Sequence, residues 1–178
     1  MSQLKVNSIV PAAGLSGGAS GGIIQVVQTL KTDAFSQSSL GSGVFSNDVI
    51  TCSITPQSTS NKILVTSSLV AGSDLGEPTI GALLVRDSTI TGYRGPADGS
   101  RIRLAVGAAA PHQTNTVNLC LEYLDSPSTT SEITYRIRIC GLFGQTDHTA
   151  YVNRSSDVSD NDYTLKPAST LTLMEVSG

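Results

Sequence analysis

Two serines stand in glycine-rich surroundings that match the nucleophile motif G-x-S-x-G. The pattern occurs as Gly14-Leu15-Ser16-Gly17-Gly18 and again as Gly18-Ala19-Ser20-Gly21-Gly22. In hydrolases that use this motif, the serine projects from a tight turn between a strand and a helix. Neither element is predicted here, because the neighbouring residues are almost all Gly, Ala and Ser. We therefore interpret both matches as parts of a flexible tether and expect no catalytic residue there.

Other residue types that could support catalysis are few and scattered. The two histidines, His112 and His148, have no Asp or Glu at a spacing typical of general acid–base pairs. Hydrolysis of a glycan requires two carboxyl groups in one cleft. The four glutamates lie in different segments, at Glu77, Glu122, Glu132 and Glu175. We expect a protein that is not an enzyme and needs no cofactor, with a glycan hydrolase kept as an alternative.

An acidic stretch near the end of the chain offers oxygen ligands of the kind that Ca²⁺ accepts. It reads Asp157-Val158-Ser159-Asp160-Asn161-Asp162. The stretch lacks the turn glycine and the distal bidentate glutamate of an EF-hand loop. We therefore predict a solvated loop rather than a metal site.

Two segments combine a tyrosine with a nearby arginine in a turn-like context. They are Tyr93-Arg94-Gly95-Pro96 and Tyr151-Val152-Asn153-Arg154. Tyrosine and arginine are enriched at binding hot spots. The alternative is that these are ordinary loop residues around a packed tyrosine, and the sequence leaves both interpretations open.

The charge content restricts the classes of partner. Charged residues make up 14% of the 178 residues, against about 25% in typical soluble domains, so few charges keep identical copies apart. With 11 Lys and Arg against 14 Asp and Glu and no basic cluster, the patch that nucleic-acid binding requires is missing. No stretch approaches the roughly 18–20 apolar residues that span a bilayer, and no signal peptide is recognised. We expect neither nucleic acid nor membrane insertion.

The three cysteines, Cys52, Cys120 and Cys140, each lie in an apolar segment of strand-like composition. The odd number favours buried free thiols over a disulfide framework, which fits folding in a reducing cytoplasm. One Cys120–Cys140 pair is kept as an alternative.

The first 22 residues differ in composition from the rest of the chain. Residues 1–10 place apolar side chains in an extended pattern, and residues 11–22 are rich in Gly, Ala and Ser. We predict a docking arm and tether at 1–22 and one folded domain at 23–178. A disordered tail is the alternative, but a soluble tail has no need of the apolar residues Leu4, Val6, Ile9 and Val10.

Beyond the tether, short runs rich in Val, Ile, Leu and Thr alternate with clusters of Gly, Pro, Ser, Asn and Asp, as in antiparallel strands and turns. The predicted strands are Ile23–Leu30, Val49–Ile54, Lys62–Ala71, Gly81–Arg86, Arg101–Val106, Thr116–Tyr123, Glu132–Leu142, His148–Asn153 and Thr170–Val176. Residues 133–139 alternate most clearly, which predicts one buried face. The fold class is an all-β antiparallel sandwich of the jelly-roll type with an extended N-terminal arm; an immunoglobulin-like sandwich is the second choice.

Several short segments resemble virion structural proteins of tailed phages, especially phages of cyanobacteria and other aquatic bacteria. These segments are MSQLKVNSIVP, GGIIQVVQT, TPQSTSNKILV and STLTLMEV, which cover both ends and the early middle of the chain. Residues 75–115 show no such resemblance.

The resemblance implies a virion protein made in the host cytoplasm, similar to tail fibres with a trimeric jelly-roll head of the tumour-necrosis-factor and complement type. It implies that the last strand lies near the threefold axis, so that Leu171 and Leu173, or Met174 and Val176 on the opposite face, contact neighbouring subunits. The arm would attach to another virion protein. The residues expected to face a host-surface glycan or protein are Tyr93, Arg94, Tyr151, Arg154, Asp160 and Asp162. A capsid decoration protein is the alternative, because the sequence has no repeated shaft.

Overall fold

The computed structural model describes residues 22–75, 79–109, 112, 114–142, 148–162 and 164–178. These residues form eleven strands and no helix. The strands are β1 (Ile23–Lys31), β2 (Phe35–Gln37), β3 (Ile50–Ile54), β4 (Lys62–Ser73), β5 (Thr79–Arg86), β6 (Thr89–Ile90), β7 (Val106–Ala109), β8 (Val117–Asp125), β9 (Ile133–Leu142), β10 (Ala150–Val152) and β11 (Ser169–Val176). No helix in the described part of the chain is long and apolar enough to cross a membrane.

The strands pair in a nested order. β1 pairs with β11, β3 with β9, β4 with β8 and β5 with β7, and every pair is antiparallel. Nested antiparallel pairs that fold over into two sheets are the arrangement of a jelly roll. The first sheet contains β1, β11, β4 and β8, extended by β10 and β2, and the second contains β3, β9, β5 and β7, extended by β6. The predicted all-β jelly roll is confirmed.

The core lies between the two sheets. The alternation predicted for β9 is present, since Ile133, Tyr135, Ile137 and Ile139 are at most 4% exposed. The hydroxyl of Tyr135 donates to Asp125 Oδ2 at 2.7 Å, which joins the second sheet to the end of β8 in the first. The buried ring therefore has a partner for its polar end.

A second buried polar group, Glu175, faces inward from β11. Its side chain is fully buried and accepts hydrogen bonds from Gln25 Nε2, Asn61 Nδ2 and the backbone N–H of Gln57, each at 2.6 Å. Burial alone would raise the pKa of Glu175, but these hydrogen bonds outweigh burial and hold the pKa below its ordinary value. Glu175 thus ties β11 to β1 and to the connection between β3 and β4.

The predicted strands agree with the structure except in one region. The strand predicted at Arg101–Val106 is wrong, because residues 101–104 have no strand pairing and β7 begins only at Val106. The short strands β2 and β6 were not predicted. The ambiguous run IIQVVQTL is strand β1, as predicted.

All three cysteines are free, as expected. Cys52 and Cys140 are buried, and burial raises the pKa of the Cys140 thiol to about 11. Cys120 is exposed, so the expectation of burial is wrong for this residue. Its side chain lies on the outer face of β8, whereas its neighbours Leu119 and Leu121 face the core.

Candidate functional site

The chain covers the outer face of the second sheet with its own residues. Leu83 and Val85 point away from the core on β5, yet both are only 1% exposed. Residues 92–105 lie between β6 and β7, and within this segment Leu104 packs so closely on Gly81 that a Cβ at that position would collide with it. Backbone hydrogen bonds fix the segment, from Ala105 N to Ala82 O at 2.9 Å and from Gly95 N to Leu104 O at 3.1 Å.

Paired charges lie on the β9 part of that face. Asp48 forms an ion pair with Arg136, whose Nε is 3.1 Å from Oδ2, and accepts a hydrogen bond from Arg138 Nε at 2.6 Å. The two arginines are two residues apart on β9 and therefore share the outer face. The outer face of the second sheet is thus buried along β5, and its two arginines on β9 share one acidic partner.

The outer face of the first sheet is different. The strand register places Val26, Met174, Leu64 and Leu124 side by side on β1, β11, β4 and β8. Val26 is 55% exposed and Leu124 is 48% exposed. The two rows that follow along the strands are Gln28, Thr172, Thr66 and Glu122, and then Leu30, Thr170, Ser68 and Cys120. We call these three rows the bare face.

Charge is almost absent from the bare face. Glu122 is the charged residue within its three rows, and Lys62 follows at its border, next to Val176 in register. Neither residue forms an ion pair with another described residue. A sheet surface of apolar and small uncharged side chains has little to hold water or to repel a second copy.

The residues predicted for the subunit interface separate into two groups. Leu171 and Leu173 are fully buried between the sheets of their own chain, so they have no surface to offer a neighbour, and this part of the expectation is corrected. β11 is an interior strand of the first sheet, between β1 and β4, and its inward side chains must fill the core. Met174 and Val176 lie on the outer side, Met174 within the bare face and Val176 at its border.

The structure brings together the aromatic and basic residues predicted at 151–154. The guanidinium carbon of Arg154 lies 4.4 Å from the centre of the Tyr151 ring. Arg154 also donates from Nε to Ser155 O at 2.9 Å and from Nη2 to Ser156 O at 3.2 Å. Stacking and two hydrogen bonds therefore fix the direction of this side chain.

Asn153 anchors the loop that follows, residues 153–168. It is 2% exposed and has a φ of 61°, in the left-handed region that Asn tolerates better than most residues. Its Nδ2 donates to Lys31 O at 2.8 Å and to Asp33 O at 3.1 Å, and the Ser169 hydroxyl donates to its Oδ1. The loop is thus tied to the end of β1 and to the start of β11. We call residues 153–168 the anchored loop.

A surface cavity of about 280 Å³ lies under the anchored loop. The residues around it are Thr32, Ala34, Asn153, Arg154, Asp157, Val158, Thr164, Leu165 and Lys166. Val158 and Leu165 are 72% and 57% exposed, although both are large and apolar. The cavity therefore combines apolar walls with charged groups.

The other predicted contact residues have ordinary structural surroundings or stay at the surface. The Tyr93 ring stacks on Tyr123 with the centres 5.1 Å apart, which matches the packed-tyrosine alternative. Arg94 is half-buried beside Tyr93, and Asp160 and Asp162 are exposed. Leu4, Val6, Ile9 and Val10 lie outside the described residues.

The candidate metal and hydrolase residues do not form a common site in the described structure. Asp157 accepts hydrogen bonds from the N–H and hydroxyl of Ser159, which hold the pKa of its carboxyl below the ordinary value. No group of three or more potential metal ligands occurs within the described residues. Glu175 points into the core and Glu122 out of the same sheet, while Glu77 lies outside the described residues.

Sequence reasoning missed the bare face, although a signal was present. Between Lys62 and Val70 the outward residues of β4 are Leu64, Thr66 and Ser68, without a charge. A solvated sheet face ordinarily carries charged and polar residues at such positions.

No family model matches the chain, and no curated protein matches its sequence. Similar solved structures come from infectious bursal disease virus. The structure of the Gx strain has 14% identity and a TM-score of 0.47, with 94% of this chain and 45% of that chain covered. The VP2 subviral particle has 13% identity and a TM-score of 0.44, with 94% and 44% covered. This chain thus spans less than half the length of the chains that it matches.

Proposed function

We propose that the protein is a non-enzymatic structural subunit of a phage particle that assembles as a homotrimer through the bare face. The bare face carries the proposal. Apolar surface gains roughly 25 cal/mol for each Å² that is removed from water, and contiguous exposed apolar patches mark interaction sites. A second copy offers the same uncharged surface, so its approach meets little electrostatic resistance.

The more specific role that we propose is a short tail fibre. In this role residues 1–22 attach the subunit to another virion protein, and the jelly roll presents its loops to the host surface. The short segments that resemble phage virion proteins support this assignment, and one of them, STLTLMEV, forms β11, which contributes Thr170, Thr172 and Met174 to the bare face. Linked copies would bind through several weak contacts at once.

The surface cavities give no support to the glycan-hydrolase alternative. Four surface cavities within the described residues each have a single carboxylate in their walls, namely Asp125, Glu122, Asp157 and Asp98. Glycoside hydrolysis uses two carboxyl groups that flank the scissile bond. The test is to incubate the purified protein with host surface polysaccharide and to measure the length of the polysaccharide chains. Shortened polysaccharide would show that the protein is a hydrolase and would contradict the non-enzymatic role.

Light scattering and thiol labelling test the assembly. We expect a mass three times that of the 18.4 kDa chain at micromolar concentration. Cys120 lies on the bare face and is the exposed cysteine, so its alkylation should be slow in the trimer and fast in a dissociated variant. Cys52 and Cys140, which are buried, serve as internal controls. A monomer with a freely reactive Cys120 would overturn the proposed assembly.

Deletion of residues 1–22 tests the attachment role. The shortened protein should remain a folded oligomer and should no longer join the particle. Unchanged incorporation would contradict the docking function of the arm. Copy number then separates the two virion roles, because a tail fibre is present in tens of copies or fewer and a decoration protein in hundreds.

A further inference from the structure

We propose that the cavity under the anchored loop binds a single acidic sugar residue, with Arg154 as the group that recognises its carboxylate. This inference rests on the proposed function for its biological meaning, since an acidic surface glycan would then be the host feature that is bound. The site itself is argued from its charges, its walls and the rigidity of the loop.

The charges around the cavity favour an anion. Arg154 and Lys166 are cationic, and Asp157 is the one anion among the residues around the cavity. The Asp157 carboxylate is already held by the N–H and hydroxyl of Ser159. Lys166 forms no ion pair with a described residue. One excess positive charge is therefore available to a ligand.

Arg154 is oriented before any ligand arrives. Its Nε and Nη2 donate to backbone carbonyls and its guanidinium carbon lies over the Tyr151 ring, while Nη1 has no hydrogen-bond acceptor among the described residues. A guanidinium that is fixed in this way loses little side-chain entropy when it binds a carboxylate.

The walls suit a sugar ring. Val158 and Leu165 present apolar surface that can cover the C–H face of a ring, and Thr32 lines the same cavity. A volume of about 280 Å³ is close to the lower limit of roughly 300 Å³ for pockets that hold drug-sized molecules. The cavity therefore fits one ring rather than a longer buried chain.

The anchored loop is preformed. The side chain of Asn153, its first residue, donates to Lys31 O at the end of β1 and to Asp33 O after it. The single proton of the Thr164 hydroxyl is shared between Ser159 O at 2.7 Å and Asn161 O at 3.0 Å. Val158 and Leu165 therefore lie on a turn that hydrogen bonds already hold in place. Ligand binding does not have to pay the entropy cost of ordering the loop.

Titration of the full-length protein with D-glucuronate, D-glucose and acetate tests the inference. Glucuronate and glucose differ at the carboxylate, and acetate supplies the carboxylate without the ring. We expect saturable binding of glucuronate in the millimolar range, at least about tenfold weaker binding of the other two, and weakening as salt rises. Equal binding of glucose, equal binding of acetate, or no binding of glucuronate would overturn the inference.

Variants locate the site. Arg154→Gln should weaken glucuronate binding about tenfold or more, and Lys166→Gln, at an exposed position, should weaken it severalfold without risk to folding. Arg101→Gln, which removes an exposed arginine from another loop, is the matched control and should bind as the wild type does. Wild-type binding in Arg154→Gln would overturn the role assigned to Arg154, and wild-type binding in both variants would overturn the site as a whole. Light scattering on the same samples keeps the two proposals apart, because a trimer without glucuronate binding refutes this inference alone.

Discussion

Both outer faces of the sandwich are formed by antiparallel strands, but they differ in how far their apolar side chains are buried. On the second sheet, Leu83 is 1% exposed, Leu104 packs on Gly81, and Asp48 pairs with two arginines. On the first sheet, Val26 and Leu124 remain about half exposed in an apolar row. A substitution on the covered face should therefore damage the fold of the single chain, whereas the same substitution on the bare face should damage only assembly.

The largest expected effect comes from a matched pair of substitutions, Leu83→Asp and Leu64→Asp. Leu83 is 1% exposed, so an aspartate there is a buried charge without a partner and should lower the free energy of unfolding by about 3–5 kcal/mol. Leu64 lies on the bare face, where an aspartate should dissociate the proposed trimer and leave the fold of the chain intact. Urea denaturation and light scattering measure the two effects.

The proposed difference between the two faces is contradicted if Leu83→Asp and Leu64→Asp have the same effect on stability and on oligomeric mass. Loss of folding in Leu64→Asp would mean that the bare face is part of the core of the single chain. An intact trimer in Leu64→Asp would mean that copies meet through another surface. Rapid alkylation of Cys120 in Leu64→Asp would show that the contact between copies is lost at the bare face.

An intermediate effect is expected on the inner side of the first sheet. Glu175→Gln replaces a carboxylate that accepts three hydrogen bonds at 2.6 Å, and hydrogen bonds to a charged group are worth about 1.5–3 kcal/mol. Because the folded-state pKa of Glu175 is lowered, its stabilisation is present above the ordinary carboxyl pKa and is lost as pH falls through the folded-state pKa.

Thermal unfolding between neutral pH and pH 3 measures this acid dependence. The wild type should lose more stability than Glu175→Gln over the acid range. Parallel curves for the two proteins would show that Glu175 contributes nothing to the acid response. The comparison must use one protein concentration, because assembly also contributes to the apparent stability.

The smallest effect is expected from Arg138→Gln on the covered face. The Arg138 pair with Asp48 is partly exposed, and Arg136 still contacts the same carboxylate. Pairs of this kind contribute about 0.2–1 kcal/mol, and the loss should diminish in high salt. Urea denaturation at low and high salt measures it, and a loss above about 2 kcal/mol would show that the charges hold the covered face more strongly than its packing does.

Local patterns predicted the strands but not what covers them. In β9 the apolar residues alternate with polar ones, and one buried face follows directly from that period. Residues 101–104 have a similar composition, yet Leu104 packs over Gly81 instead of joining a sheet. This contact depends on residues far apart in the sequence, as does the cavity under the anchored loop, so neither has a local signal.

The register of β1 against β11 gives each subunit a direction. The described chain enters the sandwich at Gly22, beside Ser177, and Lys31 at the far end of β1 pairs with Ser169, where the anchored loop rejoins the sheet. Nine steps of about 3.4 Å separate Gly22 from Lys31 by roughly 31 Å. A protein fused ahead of Gly22 would therefore lie at the end of the sandwich opposite the anchored loop. If the subunit is immobilised on a surface through that end, the anchored loop faces the solvent.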